Sequence, residues 1–489
     1  MKRILLTILI ALVCKSAVLG QDTIVLTLAD VVQMAQKSSP DAVSARNNFE
    51  SSTLSYRNYK AGYLPSLSLS SSPNLNRSTS RVTLDDGTEQ YVRSNSMSTN
   101  LSMNLSQNVW FTGGTLSLYG SVSRLDQFGD NRRTNYYSQP LQLSFSQDLS
   151  GYNSFKWQRK TEPIAYRMAR KQYAETMELV AANAAGCFFD MASAQTELNI
   201  ARINMAAADT LYTIGLGRYN IGTITENELL QLELNRLREE NSIINTEMSY
   251  NEAIDRLRQF LNLPLDIHIE VSMTDSIPDF IVPIADALEL ARANSPDIES
   301  MELSRLYGER ELAYAKSQTG LKSSVYLRLG LAQTSDEFSQ SIQNLNDEQS
   351  VNITFQIPIL DWGKGRGRVR MAQNSLELTQ LHLEQQQVAF EKLVSRTVNQ
   401  FNIQGRSVEI SHRTMVTAQH RYEVARQLYL TGNSTMLDLN AAITAKDSAY
   451  RGYVSALSQY WGLYYTIRSI TGYDFEKNIL IENIVEYGH

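Results

Sequence analysis

The chain has 489 residues, 20% of them charged, and a formal net charge of −6; this acidic balance argues against a nucleic-acid partner. Its length suffices for several domains, yet only 10 residues are proline. None lies between Pro163 and Pro264, and none follows Pro358. Because proline costs about 3 kcal/mol inside a helix, these two proline-free stretches predict very long helices.

The N-terminus has the pattern of a secretory signal peptide. Met-Lys-Arg is followed by the apolar run 4–13 and then by small residues up to position 20. This run of about ten apolar residues is short for a membrane anchor, so we predict a signal peptide over 1–20. Its removal takes away three basic residues and changes the net charge from −6 to −9. Lipidation at Cys14 is the alternative, but the usual small residue directly before the cysteine is absent, since Val13 is in that place. Cys187 is then the one remaining cysteine, which excludes an internal disulfide and indicates core packing.

One sequence motif occurs twice in similar form. LTLADVVQMAQKSSPD at 26–41 and VPIADALELARANSPD at 282–297 share Ala-Asp, Ala and Ser-Pro-Asp, and Pro40 recurs as Pro296 at an offset of 256. A serine before each of these prolines is typical of a helix N-cap followed by the first helical residue. We therefore interpret the chain as two repeats. Each repeat is predicted to begin with two helices, at about 28–38 and 40–61, and at about 284–294 and 296–318.

Both repeats then change to alternating apolar and polar residues, which predicts β-strands. The alternation is found near 67–70, 101–106, 116–119, 141–146, 325–329 and 351–357. Strands of about 9–11 residues suffice to cross a bilayer when tilted, and the polar partners (Ser, Asn, Gln and Thr) suit a water-filled lumen. No run of about eighteen apolar residues follows position 20, so a membrane-spanning form of this chain requires a closed β-barrel. A soluble β-sandwich is the alternative that the strands alone leave open.

Three tryptophans, Trp110, Trp157 and Trp362, lie at or just beyond the predicted strand ends. Tryptophan and tyrosine form girdles where a membrane protein meets the lipid–water interface. We therefore predict that these three side chains are membrane-interface aromatics.

Long helices follow the strands in each repeat. In the first repeat we predict a helix from Pro163 to about Leu211, a break at 215–225 that contains three glycines, and a helix over about 226–261. In the second we predict helices over about 367–430 and 435–470, with a break at 430–435. Apolar residues at 4-3 spacing in the first repeat predict coiled-coil packing; they are Leu230, Leu234, Leu237, Ile244 and Met248.

The two repeats differ in length. The breaks align Gly222 with Gly432, an offset of 210, so the decrease from 256 to 210 assigns 46 extra residues to the first repeat. These suffice for one additional β-hairpin near 98–123, which either adds strands to the sheet, covers its exterior or enters the lumen. The predicted organisation is a first repeat over 21–275, a second repeat over 276–475 and a C-terminal tail over 476–489.

These features together resemble the TolC-like outer-membrane efflux family. The resemblance rests on the paired Ser-Pro-Asp openings, the strand-to-helix passages at 147–151 and 357–363, and the turns Tyr-Asn-Ile-Gly-Thr at 219–223 and Tyr-Leu-Thr-Gly-Asn at 429–433. It covers about 23–475 and implies a mixed α and β fold, a trimeric outer-membrane β-barrel continued by a long periplasmic α-helical barrel. Well-studied members contribute four strands per protomer, and the 46 extra residues depart from that pattern.

The resemblance also implies a function and its residues. It implies the channel of a tripartite efflux or type I secretion system, a passive duct that receives small molecules or polypeptides from an inner-membrane pump through a periplasmic adaptor. The family's periplasmic constriction falls on Tyr219, Glu228, Tyr429 and Asp438. The adaptor-docking tip falls on Ile221, Gly222, Thr223, Thr431, Gly432 and Asn433. A second family aspartate falls on Ala441 and a basic latch on Ser434, so those two features are absent here.

Few residues suggest chemistry. The chain has 5 histidines and lacks an HExxH motif, paired cysteines and an aspartate-rich calcium loop. The basic, glycine-rich run 363–370 lacks the spacing of a phosphate loop, and we interpret it as the passage from barrel to helix. We therefore expect no enzymatic activity, no cofactor and no metal. A non-conducting periplasmic coiled-coil scaffold is the alternative function, and the cargo (drug, metal ion or protein) is left open.

Overall fold

The computed structural model describes residues 23–129, 132–264, 267–273 and 276–483. The predicted signal peptide and the last residues of the predicted tail lie outside these ranges. The chain forms two compact units. The first unit contains the N-terminal part up to Glu50, Ala169–Ile298 and the C-terminal part from Gln387; the second contains Ser51–Met168 and Glu299–Gln386.

The main helices occur as pairs of equal length. They are α1 Leu28–Ser38, α2 Pro40–Ala61, α3 Ser154–Asn220, α4 Glu226–Leu261, α5 Ile284–Asn294, α6 Pro296–Ser317, the short α7 Phe338–Ser341, α8 Lys364–Leu430 and α9 Met436–Thr471. α1 and α5 have 11 residues, α2 and α6 have 22, α3 and α8 have 67, and α4 and α9 have 36. Ser39 and Ser295 accept backbone N–H bonds at the starts of α2 and α6, as the sequence predicts.

Two predicted helix limits were wrong. α3 begins at Ser154 and includes Pro163, because the loss of one hydrogen bond does not end a helix of 67 residues. α3 also continues through Gly215 and Gly217, which do not have positive φ, and ends at Asn220. Glycine lowers helix propensity by about 1 kcal/mol, and packing of the surrounding helix outweighs that cost.

The strands are β1 Thr23–Leu26, β2 Ser66–Thr83, β3 Glu89–Val109, β4 Gly114–Gln127, β5 Arg133–Asp148, β6 His268–Val271, β7 Lys322–Ser335, β8 Asn346–Gln356, β9 Tyr473–Asp474 and β10 Ile479–Leu480. Six of them form one antiparallel sheet in the second unit, in the order β2-β3-β4-β5-β7-β8. The tract 98–123, which the sequence predicts as an extra hairpin, lies in β3 and β4. These strands pair with each other and with β2 and β5, so the tract contributes to the same sheet.

The register places apolar side chains on one face of this sheet. Leu105 lies opposite Leu67 on one side and Leu118 on the other. Leu143 continues the row between Leu118 and Leu329. We call this surface the apolar face; it comprises Leu67, Leu69, Leu75, Met97, Leu101, Met103, Leu105, Leu116, Leu118, Val122, Leu141, Leu143, Phe145, Val325, Leu327, Leu329, Leu331, Val351, Ile353 and Phe355. The opposite face carries polar contacts such as the hydroxyl pair Ser70–Ser102 and the ion pair Arg328–Glu348.

The two ends of the sheet differ. At one end, here the proximal end, α2 and α6 lead into β2 and β7, and β5 and β8 lead out to α3 and α8. At the other end, the distal end, the strands are joined by the turn 84–88 and the connections 128–132 and 336–345. Helices therefore join the sheet at the proximal end.

The first unit has its own hydrophobic core. β1 and β6 pair in parallel there, and Tyr460, Phe188 and Phe401 are among the largest fully buried side chains. The Tyr460 hydroxyl donates to the Pro278 carbonyl at 2.7 Å, so this buried hydroxyl group has a hydrogen-bond partner. Within the described residues, we find no helix that combines the length and the apolar character needed to cross a membrane.

Candidate functional site

Two short turns of the first unit share one geometry. Residues 221–225 join α3 to α4, and residues 431–435 join α8 to α9. Gly222 and Gly432 have φ of 73° and 81°, a region that residues with a Cβ rarely adopt. Their N–H groups donate to carbonyls three residues earlier, at 2.9 and 3.1 Å. The next N–H donates to a carbonyl five residues earlier, at 2.9 Å in both turns. This is the Schellman arrangement, which ends a helix with a left-handed glycine.

The two turns are joined directly and share a core. The Arg218 Nη2 atom donates to the Leu430 carbonyl at 3.0 Å, across 212 residues of sequence. Behind the turns lies a buried hydrophobic cluster, here the tip cluster, composed of Leu211, Leu232, Tyr422, Leu439 and Ala442. We refer to the turns and this cluster together as the tip.

The two acidic residues of the predicted constriction cap the helices that leave the turns. Glu228 accepts the Thr225 N–H at 2.9 Å, and Asp438 accepts the Thr435 N–H at 3.2 Å and its hydroxyl at 2.6 Å. Each threonine accepts an N–H in return, so both turns contain a capping box. The hydrogen bonds from Thr435 lower the pKa of Asp438 below its usual value. Both carboxylates are exposed in the protomer.

The two aromatic residues of the predicted constriction differ in environment. Tyr219 is exposed at the end of α3, whereas Tyr429 is half-buried against the tip cluster. Burial raises the pKa of Tyr429, the charge of Arg218 opposes the shift, and the charge of Glu228 adds to it. The structure therefore brings Tyr429 of one turn close to charged groups of the other turn.

The predicted docking residues are all at the surface. Ile221, Gly222 and Thr223 of the first turn are exposed, as are their counterparts Thr431, Gly432 and Asn433. Ile221 has 74% of its surface exposed, which is unusual for an isoleucine beside a packed core.

Sequence reasoning missed two parts of the tip. Arg218 was not singled out, because its acceptor is remote in sequence. Gly215 was interpreted as a helix breaker, but an added Cβ there would overlap Cδ1 of buried Leu232. Its role is to let α3 and α4 approach closely; a glycine inside a helix that continues is the signal that was available.

The predicted 4-3 stripe of α4 is not packed within the protomer. Its residues Leu230, Leu234, Leu237, Ile244 and Met248 are all about half exposed or more. The buried residues of α4 are instead Leu232, Ala253, Ile254, Leu257 and Leu261. We call the exposed set the α4 stripe.

The three predicted interface tryptophans lie at the proximal end of the sheet. Trp110 follows β3, and the Arg159 guanidinium lies 4.5 Å from its ring centroid. Trp157 lies in the first turn of α3 rather than at a strand end, with the Lys160 ammonium 4.8 Å away. Trp362, between β8 and α8, is 89% exposed and has a φ of 55°.

Buried charges elsewhere in the first unit are paired. Arg468 contacts Glu178 at 2.8 Å and Asp474 at 2.9 Å, which joins α9 to α3 and β9. Burial raises the pKa of Glu178, and the charge of Arg468 opposes that shift. Burial also raises the pKa of the Cys187 thiol. Over the residues that the structure describes, no cluster of His, Cys, Asp and Glu side chains is arranged to hold a metal ion.

Comparison with known proteins identifies the class. The chain matches the family model of the outer membrane efflux proteins over residues 113–263 and 287–472, which is well over half of its length. The chain belongs to this outer membrane efflux protein family, as the resemblance in its sequence predicts. Family membership confirms the predicted location in the outer membrane, with an extension into the periplasm. No curated protein sequence matches the chain.

Several solved outer-membrane proteins share the fold. The Campylobacter jejuni CmeC outer membrane channel is 14% identical, with a TM-score of 0.67 over 94% of this chain and 88% of that one. VceC of Vibrio cholerae is 12% identical, with a TM-score of 0.62 over 91% and 96%. The open state of the Neisseria gonorrhoeae MtrE channel is 13% identical, with a TM-score of 0.58 over 91% and 88%. At these identities the similarity concerns the fold.

Proposed function

We propose that the protein is the outer-membrane channel of a tripartite efflux or type I secretion system. In this proposal three copies form a passive duct. It exports small molecules or polypeptides that an inner-membrane pump delivers through a periplasmic adaptor. The observation that carries the proposal is the exposed apolar face of the six-stranded sheet, with polar side chains on the opposite face. Apolar-out, polar-in alternation is the pattern of a β-barrel around water in a lipid bilayer.

The dimensions of the sheet support this proposal. From Met97 to Leu105 the apolar face of β3 covers about 27 Å along the strand. A strand tilt of about 40° reduces this to a height of about 20 Å, comparable to the roughly 25 Å band of outer-membrane barrels. Among the residues that the structure describes, β2 and β8 are the two edges of the sheet, and each has one side without a strand partner. An unpaired edge in lipid is very costly, and pairing with adjacent copies removes it. Three copies of six strands would close a barrel of eighteen, a size that leaves an aqueous channel.

The helices support assembly as well. The α4 stripe has coiled-coil spacing but is exposed, and apolar side chains in this pattern require a partner helix. An adjacent protomer is the partner that a trimeric α-helical barrel supplies. The equal lengths of the paired helices support descent of this wall from two internal repeats.

In the assembled trimer we assign the periplasmic constriction to Tyr219, Glu228, Tyr429 and Asp438. Rings of carboxylates favour cations and hinder anions. The exposed turn residues, Ile221 to Thr223 and Thr431 to Asn433, are then the surface for the adaptor. The capping boxes support this assignment in one respect: they hold each carboxylate in a defined position at the start of its helix.

An experiment can separate the role of Asp438 as a cap from its role as a charge. Asp438→Asn removes the charge but keeps a side-chain oxygen that can accept the Thr435 N–H, whereas Thr435→Ala keeps the charge and removes the hydroxyl of the N-cap. We expect Asp438→Asn, combined with Glu228→Gln, to weaken cation block and to change single-channel conductance in planar bilayers. We expect Thr435→Ala to cost about 1 kcal/mol of stability without changing the block. Unchanged block and conductance in the charge variants would contradict the constriction.

The competing proposal is a periplasmic coiled-coil scaffold that conducts nothing. It also explains the α4 stripe, but it does not require an exposed apolar face on a sheet. Purified protein that forms discrete conducting events and migrates as a heat-modifiable trimer supports the duct. Recovery of folded protein in the soluble periplasmic fraction refutes the duct.

A further inference from the structure

The apolar face contains a groove around Gly120. The groove has a volume of about 450 Å³ and is lined mainly by Leu69, Leu101, Met103, Leu118, Val122 and Leu141. Gly120 lies at a close approach of two strands, since an added Cβ would be 3.0 Å from the Pro140 carbonyl oxygen at the β-bulge of β5. The absence of a side chain at this point leaves the groove open. An apolar lining of this size fits hydrocarbon chains.

Arginines continue the same face beyond the groove toward the distal end. Arg124 follows Val122 by two residues in β4, and Arg77 follows Leu75 by two residues in β2. Arg93 lies opposite Thr79, which is two residues beyond Arg77. Because side chains two residues apart point to the same face about 7 Å apart, these arginines share the face of the groove. Arg124 is level with Thr99, and Arg93 lies six residues beyond Thr99 in β3, so the three arginines are spread over about 20 Å toward the distal end.

We call these three arginines the arginine patch; acidic side chains neutralise only part of its positive charge. Arg124 contacts Asp126 at 2.9 Å. Arg77 donates to the neutral amide oxygen of Asn95 at 3.2 Å, and Arg93 has no acidic partner within the described ranges. Both Arg77 and Arg93 are exposed.

The hairpin β7–β8 lacks this patch. At its distal end the same face carries Gln333 and Asp347, next to Leu331. The positive charge is therefore local to β2, β3 and β4, where the groove is also found.

We propose that the groove and these arginines form a binding site for a phosphate-bearing lipid, which lies in the bilayer leaflet at the distal end of the sheet. Its acyl chains lie along the groove at Gly120, and its phosphates contact Arg77, Arg93 and Arg124. The planar guanidinium donates two parallel hydrogen bonds to phosphate, which suits arginine to this role. This inference rests on the proposed function, since it requires the apolar face to contact lipid.

Native mass spectrometry of the detergent-purified, full-length protein tests the site. The probes are a bisphosphorylated, multiply acylated lipid and the same lipid with its phosphates removed. The main variant combines Arg77→Gln and Arg93→Gln, which breaks no ion pair. The matched control is Arg133→Gln. Arg133 lies opposite Gln127 at the distal end, and its side chain is therefore on the face opposite to the apolar face. Each arginine near a membrane surface contributes roughly a fivefold gain in binding, so the double variant is expected to lose about 25-fold.

The expected pattern is specific. The phosphorylated lipid binds the wild type and the Arg133→Gln control with equal affinity, and it binds the double variant about 25-fold more weakly. The wild type binds the phosphorylated lipid more tightly than the dephosphorylated lipid. Equal binding of the two lipids, or of the wild type and the double variant, overturns the inference. Complete displacement by millimolar inorganic phosphate also overturns it, because the site would then be one for a free anion.

The outcome is separable from the proposed function. Conductance in bilayers made without any phosphate-bearing glycolipid measures the duct alone. A wild type that conducts but does not distinguish the two lipids disproves the lipid site and leaves the duct intact. A wild type that never conducts disproves the duct, whatever lipid it binds.

Discussion

Two glycines of α3, Gly215 and Gly217, allow a direct test of how the tip is packed. Glycine inside a helix is less favourable than alanine by about 1 kcal/mol, so alanine at either position gains about that amount. At Gly217 the added Cβ meets no described atom within 4 Å apart from its own helix turn, and the gain is retained. At Gly215 the Cβ overlaps Leu232, which is 3% exposed within the tip cluster.

Overpacking of a buried site costs about 1–3 kcal/mol. Gly215→Ala is therefore expected to range from neutral to about 2 kcal/mol destabilising, and Gly217→Ala to stabilise by up to about 1 kcal/mol. The two variants thus differ by about 1–3 kcal/mol in local stability although they lie two residues apart.

Hydrogen–deuterium exchange of peptides that cover 205–240 measures this difference, because local opening reports local stability. We expect faster exchange at the tip in Gly215→Ala and slower exchange in Gly217→Ala. Peptides from the six-stranded sheet act as internal controls and should not change. Equal protection of the tip in the two variants would refute the argument, since it would mean that Leu232 is not held tightly.

Two further predictions concern the first unit. Arg468→Met leaves Glu178 and Asp474 buried without their partner and should cost about 3–5 kcal/mol in thermal unfolding. Arg202→Gln, which breaks the exposed ion pair with Glu247 in the same unit, should cost less than about 1 kcal/mol. Similar losses in the two variants would contradict the burial argument. Burial, with the charge of Asp297 adding, raises the pKa of Glu175 to about 7. The unfolded chain therefore releases this proton at lower pH than the folded chain, so stability decreases between about pH 4.5 and pH 7. Glu175→Gln should leave the melting temperature unchanged at pH 4 and stabilise at pH 8 by about 1–2 kcal/mol, allowing for solvent screening; a stabilisation of equal size at both pH values would exclude the carboxylate as its source.

Local rules predicted much of the fold. Alternation with a period of two identified segments of the long strands, because each strand has one apolar face. Ser39 and Ser295 marked helix starts, since each is a serine followed by proline. Gly222 and Gly432 marked the ends of the long helices, because the left-handed conformation of a helix end strongly favours glycine.

Other features depended on remote contacts. Pro163 and Gly215 have strong local preferences against helix, yet both lie inside α3, because packing along a helix of 67 residues outweighs them. The contact from Arg218 to Leu430 spans 212 residues and has no local pattern. The 4-3 spacing of α4 identified an apolar stripe but not whether the protomer buries it.

The sequence by itself determined the main helices, segments of the six long strands and the two glycine turns, because hydrophobic period, capping residues and glycine conformation act within a few positions along the chain. Only the tertiary structure decided that the strands of the extra hairpin join the same sheet and that a groove at Gly120 lies below a patch of arginines. It also decided that the two helical turns contact each other. These features depend on strand register and helix packing, which bring together residues that are far apart in sequence.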